Sequence, residues 1–207
     1  MPSGPPIRLV SSCILVLSLV ISISGCRSGG TSAGEMPDVS PSAAADQAME
    51  LLDKDGSGAL DDEELAASPG ILAMRQQYDA DGNQQISEEE LSARFEAIYR
   101  GGTSWVSPRC QLLQGNRPLA GAKVRFVPEP FFGDALQPAT GTTDSQGRVT
   151  PAVADEILPA DFKGAEAMRL GVYRVEVEHP SVKQPHKAVG CEISNLDRGG
   201  TEPVIRL

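Results

Sequence analysis

Two stretches of the chain place carboxylate, hydroxyl and amide oxygens at fixed positions of a twelve-residue frame. The first, Asp53 to Glu64, reads DKDGSGALDDEE, and the second starts at Asp79 and reads DADGNQQISEEE. Oxygens at positions 1, 3, 5, 7, 9 and 12 of such a frame can wrap a hard cation that takes six to eight donors at about 2.3 to 2.6 Å. In the first frame these donors are Asp53, Asp55, Ser57, the carbonyl of Ala59, Asp61 and Glu64. The second supplies Asp79, Asp81, Asn83, the carbonyl of Gln85, Ser87 and Glu90. Position 6 must turn sharply, and Gly58 does so in the first frame at no steric cost. Leu60 and Ile86, both at position 8, are apolar, as residues behind the donors and facing a partner loop should be.

On these residues the two frames resemble EF-hand loops, and the resemblance implies Ca²⁺ as the ion. Glu64, one turn into the following helix, would then chelate through both carboxylate oxygens. The second frame departs from the pattern at position 6, where Gln84 stands in place of glycine. A side chain held in the left-handed region costs about 1 kcal/mol. The second frame also brings three ligating carboxylates against four in the first, so it is expected to be the weaker site.

Helices must hold these loops. Ala45, Met49 and Leu52 share a helical face before the first loop, Ile71, Met74 and Tyr78 before the second, and Leu91, Phe95 and Ile98 after it. The loop starts are only 79 − 53 = 26 residues apart, and Ser68-Pro69-Gly70 interrupts the helix between them, which predicts a compact pair of short helices. Charge singles out the same segment. From Asp46 to Glu90 there are thirteen acids and two bases, a net of −11, whereas residues 101–207 carry twelve of each. The chain's overall −10 is therefore local, and the donor spacing favours a cation site over general acidity as its reason.

The N-terminal stretch reads as an address. Arg8 is the only charge before a run of 17 uncharged, mostly apolar residues, Leu9 to Gly25, which suits a secretion signal better than a bilayer span. Its end, Ile23-Ser24-Gly25-Cys26, resembles the bacterial lipoprotein box. That resemblance implies a signal peptide over 1–25, acylation of Cys26, and attachment to the membrane through lipid in the cell envelope, periplasmic or outer-membrane side. Residues 26–44, rich in Gly, Ser and Pro, read as a flexible tether. Cys110 and Cys191 remain. In an oxidising compartment two such cysteines are expected to pair as a disulfide, with buried free thiols as the alternative.

After Arg100 the period changes to two. Val124 and Phe126 alternate with Lys123 and Arg125; Tyr173, Val175 and Val177 alternate with Arg174, Glu176 and Glu178; Val189, Cys191 and Ile193 share another face. Gly115-Asn116, Asp144 to Gly147 and Gly199-Gly200 mark turns between half-buried antiparallel strands. The wording of Pro118 to Phe126, Gly141 to Arg148 and Gly171 to Val175 resembles the carboxypeptidase regulatory-like, transthyretin-like sandwich. A long insertion from Pro151 to Leu170, expected as a loop with a short helix, departs from it. The expected fold class is thus a multidomain α + β chain: an EF-hand pair over 45–99, then a transthyretin-like or immunoglobulin-like β-sandwich over 105–207.

No catalytic motif accompanies these elements. His179 and His186 both lie near prolines, where a solvated or hydrogen-bonded ring is the plain reading, and no nucleophile elbow, HExxH or phosphate loop occurs. The basic residues of 101–207 are balanced and dispersed, so nucleic acid is not an expected partner. Phe131 and Phe132 beside Gly133 read either as an exposed aromatic patch or as packing over the sandwich edge. The function expected is non-catalytic: calcium binding that stabilises the helical pair, with a binding or structural role in the envelope. The alternatives are a calcium-responsive regulator that recruits an envelope protein, Met49 and Met74 being its candidate flexible surface, and an accessory glycan-binding module.

Overall fold

The computed structural model describes Met1, Gly4 and residues 39–101, 104–183, 188–196 and 202–207. Cys13, Cys26, His186, the Gly199-Gly200 turn and most of the expected signal and tether lie outside the described residues. The chain divides into two compact units, Met1–Thr31 and Ser32–Leu207, and every described helix and strand belongs to the second. Helices and mostly antiparallel sheets make that unit an α + β fold. No helix among the described residues is long and apolar enough to cross a membrane.

The first helix, α1 (Pro41–Leu52), begins before the expected end of the tether at Ala44. Ser40 caps it, its Oγ accepting the Ala43 N–H, and Pro41 occupies the first turn, where its missing N–H costs nothing. That Ser-Pro start signal lies within the Gly/Ser/Pro-rich stretch, so composition alone hid it. The first loop follows, carrying the short strand β1 (Ala59–Leu60), and then α2 (Asp62–Leu65). Two further single-turn helices, α3 (Pro69–Ala73) and α4 (Arg75–Tyr78), lead to the second loop with β2 (Ile86–Ser87) and to α5 (Glu88–Tyr99). The Ala45, Met49, Leu52 and Leu91, Phe95, Ile98 faces are buried as their spacing predicts, with α1 packed on α5.

The strands that follow are short: β3 (Trp105–Val106), β4 (Cys110–Gln114), β5 (Arg117–Pro118), β6 (Lys123–Pro128), β7 (Ala139–Thr142), β8 (Arg148–Val149), β9 (Met168–Arg169), β10 (Gly171–Glu178), β11 (Val189–Ile193) and β12 (Val204–Arg206). One sheet runs β11-β10-β6-β7 and a second runs β12-β4-β5 with β8 also on β4, while β3 pairs with β9. All pairings are antiparallel except β12 on β4. The insertion from Pro151 holds two 3₁₀ turns, Asp155–Ile157 and Ala160–Phe162. The outer face of β6 and β10 carries the cross-strand pairs Arg125–Glu176 at 3.0 Å and Lys123–Glu178 at 3.6 Å, which hold the register but stabilise little in water.

β11 departs from the expected alternation: Gly190, Cys191, Glu192 and Ile193 are all buried. The cause is α3, which lies across β11 and β10 and covers the face that would otherwise meet solvent. Gly70 of α3 meets Gly190 backbone to backbone; a Cβ on Gly190 would lie 2.4 Å from the Gly70 nitrogen. Beside this contact Arg94 of α5 reaches Glu192, donating from Nε to Oε2 at 3.0 Å and from Nη2 to Oε1 at 2.7 Å. A second ionic contact runs from Arg174 Nη2 to Glu129 Oε2 at 3.4 Å. Burial pushes the Glu129 carboxyl up, and the Arg174 guanidinium only partly offsets it.

One expectation is corrected here, and one open alternative is resolved. Cys110 and Cys191 form no disulfide and are free, buried thiols. Both belong to the buried apolar core, Cys110 on β4 and Cys191 on β11. Burial pushes the Cys110 thiol up to about 12 and raises Cys191 as well, so neither is a ready nucleophile. Phe131 and Phe132 make no exposed patch, being only 2% and 5% exposed. They cover the helical segment, as the aromatic contacts described below show.

Candidate metal centre

The two loops are joined back to back. β1 and β2 pair antiparallel, Ala59 opposite Ser87 and Leu60 opposite Ile86, and both position-8 side chains are fully buried beneath the pairing. This pairing fixes the loops relative to each other through their own backbones. Gly58 has φ 83° and Gln84 φ 71°, so position 6 takes the left-handed conformation in both loops. Gln84 is the only non-glycine residue with positive φ among the described residues, and it carries the strain that its place in the frame implies. Gly56 and Gly82, at position 4, also have positive φ, 72° and 76°. The sequence reading assigned them no role, although their recurrence in DKDG and DADG marks a second obligatory turn.

Each loop gathers its acids around one point. Carboxylate oxygens of Asp53, Asp55 and Glu64 lie within 4.8 Å of one another, as do those of Asp79, Asp81 and Glu90. Two oxygens bound to one ion at about 2.4 Å cannot be farther apart than about twice that distance, so the spacing suits a shared cation. The first loop is tied by Asp53: its Oδ1 accepts the Gly56 and Ser57 N–H groups at 2.8 and 3.1 Å, and its Oδ2 accepts that of Gly58 at 2.9 Å. Asp55 Oδ1 accepts the Ser57 N–H at 2.9 Å, and the Ser57 bonds hold the Asp55 carboxyl below its ordinary range. The Ser57 hydroxyl donates to the Ala59 carbonyl at 2.9 Å, which keeps two predicted donors side by side.

Asp61 and Glu64 form a capping box at the start of α2. Asp61 Oδ1 accepts the Glu63 and Glu64 N–H groups, whereas Glu64 Oε1 accepts the Lys54 N–H at 2.6 Å and Oε2 that of Asp61 at 3.2 Å. Ser87 and Glu90 repeat the box at the start of α5. Asn83 is drawn inward, its Nδ2 donating to Asp81 Oδ2 at 2.9 Å, and its Oδ1 accepts the Gln85 N–H at 2.7 Å. Burial alone would raise the Glu90 carboxyl. The N–H groups of Ser87, Ala80 and Asp81 and the Ser87 hydroxyl outweigh it and hold the group below the usual glutamate range, ionised at neutral pH.

The loops differ at position 1. Asp53 has both oxygens bonded, but Asp79 Oδ1 is shut off from solvent and has no hydrogen-bond partner among the described residues. An anionic oxygen buried without a donor is costly, and a cation at the centre of the loop would satisfy it. The donor set is oxygen throughout, without histidine or thiolate, which selects hard ions over zinc or copper.

His179 sits in a turn after β10. Its Nδ1 accepts the Ser181 N–H at 3.1 Å and bonds the Ser181 hydroxyl at 2.8 Å, so the ring ties a turn. The residues that sequence reasoning missed are Arg94, Glu192, Gly70 and Gly190, which attach the loop-bearing helices to the sheets. No family model, curated protein or solved structure matches the chain.

Proposed function

We propose that this chain is a calcium-binding, lipid-anchored protein of the cell envelope, in which an EF-hand pair filled with Ca²⁺ braces a carboxypeptidase regulatory-like β-sandwich with a non-catalytic binding or structural role. The partnerless Oδ1 of Asp79, on a carboxylate gathered with those of Asp81 and Glu90, carries the metal reading. Calcium suits the site better than magnesium because five or six protein oxygens and a bidentate glutamate exceed what a small octahedral ion accepts. Two loops of net negative charge repel themselves when empty, so the ion is expected to act mainly by stabilising the fold.

Linkage sets the size of that effect. At free calcium tenfold above Kd, each site adds about 1.4 kcal/mol, or roughly 3 to 6 °C in Tm for a unit of this size. Melting with calcium and with chelator measures it. Glu64→Gln and Glu90→Gln should each remove part of the calcium-dependent shift, and a wild-type melting curve that ignores both calcium and chelator would reject the proposal.

The anchor rests on the lipoprotein-box resemblance at Cys26. Two or more acyl chains hold a protein on a membrane stably, one chain only marginally. Cys26→Ser is expected to move the protein from the membrane to the soluble fraction, and unchanged membrane retention of that variant would remove the anchor from the account.

A further inference from the structure

The groove between α1 and α5, where an opened helical pair would receive another protein, is filled by this chain. The loop from β6 to β7 makes a 3₁₀ turn over Pro130–Ala135 and packs against α1. Its base is fixed to the sheet by the Glu129 N–H, which donates to the Val172 carbonyl at 3.0 Å. Phe95 of α5 stacks on Phe131 with ring centroids 5.6 Å apart and tilts against Phe132 at 5.2 Å. Tyr99 meets Phe132 edge-on at 6.5 Å, and Tyr78 meets Phe95 edge-on at 6.1 Å. The turn kinks directly after the pair at Gly133, whose φ of 53° breaks the helical course.

We infer that Phe131 and Phe132 are a built-in target of the helical pair, so that ion binding in the loops and docking of this aromatic finger are one coupled equilibrium. The inference rests on the calcium reading above. Tyr78 immediately precedes Asp79, the first donor of the second loop, and Glu90, its last donor, lies in the first turn of the helix that carries Phe95 and Tyr99. α1, which leads into Asp53, packs on the same finger. One twelve-residue helix, about 18 Å long, therefore has its start set by the ion and its far half set by the aromatic cluster. Coupling of this kind is reciprocal: whatever the rings contribute to calcium affinity, calcium contributes to their docking. The occupant of the groove is thus a segment of the chain itself, and calcium tightens its own sandwich onto the pair.

Calorimetric titration of full-length wild type, Phe132→Ala and, as a control for general destabilisation, Val149→Ala with CaCl₂ tests the inference. Val149 is buried on β8, which pairs with β4 and not with the sheet that carries the finger. Phe132→Ala is expected to bind calcium about tenfold more weakly, within the usual range of such couplings, while Val149→Ala keeps wild-type affinity. If near-ultraviolet circular dichroism shows Phe132→Ala unfolded, Phe132→Leu should fold and still bind more weakly. Wild-type affinity in the folded Phe132 variant overturns the coupling and leaves the calcium reading intact; equal weakening in Val149→Ala also overturns it. A wild type that takes up no calcium overturns both.

Discussion

Arg94→Met is expected to destabilise the protein by about 3 to 5 kcal/mol, the range for removing one partner of a buried ion pair. The Glu192 side chain is 0% exposed and the Arg94 side chain 14%, so the carboxylate left behind would have no water to turn to. The lost guanidinium also lies over the Tyr78 ring, 5.6 Å from its centroid, where a desolvated cation adds further attraction. For a unit of this size the loss corresponds to roughly 6 to 20 °C in Tm. Urea denaturation of the calcium-loaded protein checks it. The charge explanation makes a second demand: Arg94→Met combined with Glu192→Met should recover much of the loss, since apolar replacement of a whole buried pair is often close to neutral. A double variant no better than the single would show that packing, not the stranded carboxylate, sets the cost.

Gly190→Ala should rank next, at about 3 kcal/mol or more, because overpacking that backbone cannot relieve exceeds the usual cost. The new Cβ would lie 2.4 Å from the Gly70 nitrogen, 2.6 Å from the Tyr173 carbonyl oxygen and 2.7 Å from Gly70 Cα, and none of these can rotate away. The sheet holds Gly190 opposite Arg174, so relief requires α3 to lift off β11 and the backbone of β10 to shift at Tyr173. Gly70→Ala approaches the Val172 Cγ1 at 2.4 Å, a side-chain clash with backbone close behind at 3.0 Å, and should follow the same direction. The readout is the denaturation midpoint, and a Gly190→Ala protein within about 1 kcal/mol of wild type, inside the ordinary range for a point change, would mean that helices and sheet are not in the contact described.

These two variants probe what a local reading of the chain left out. The loops were legible because all their determinants fall within twelve consecutive residues, and the frame also assigned Leu60 and Ile86 to the loop-to-loop side. The strain at Gln84 followed from the same frame, and the faces of α1 and α5 followed from their spacing; the face expected over Ile71, Met74 and Tyr78 did not, since the chain leaves helical geometry at Met74 between α3 and α4. The attachment of the loops to the sheets was not legible. Arg94 and Glu192 are 98 residues apart, and no periodicity connects them. On β11 the alternation placed Cys191 and Ile193 on one face, and both are buried; the burial of Glu192 on the other face could not be read, because a covering helix from another part of the chain leaves no trace in a strand's own pattern. The disulfide expectation rested on compartment, which sets whether a crosslink can persist and not whether two sulfurs come within bonding distance. The late start assigned to the first helix is different in kind, since Ser40-Pro41 carries a start signal that was present to be read.

The whole account depends on divalent metal entering the two loops, and calorimetric titration of the metal-stripped, full-length protein with CaCl₂ addresses that dependence most directly. Two binding events of unequal affinity are predicted, with Glu90→Gln abolishing the weaker and Glu64→Gln the stronger. A wild-type titration without heat, accompanied by an unchanged melting temperature, would contradict it.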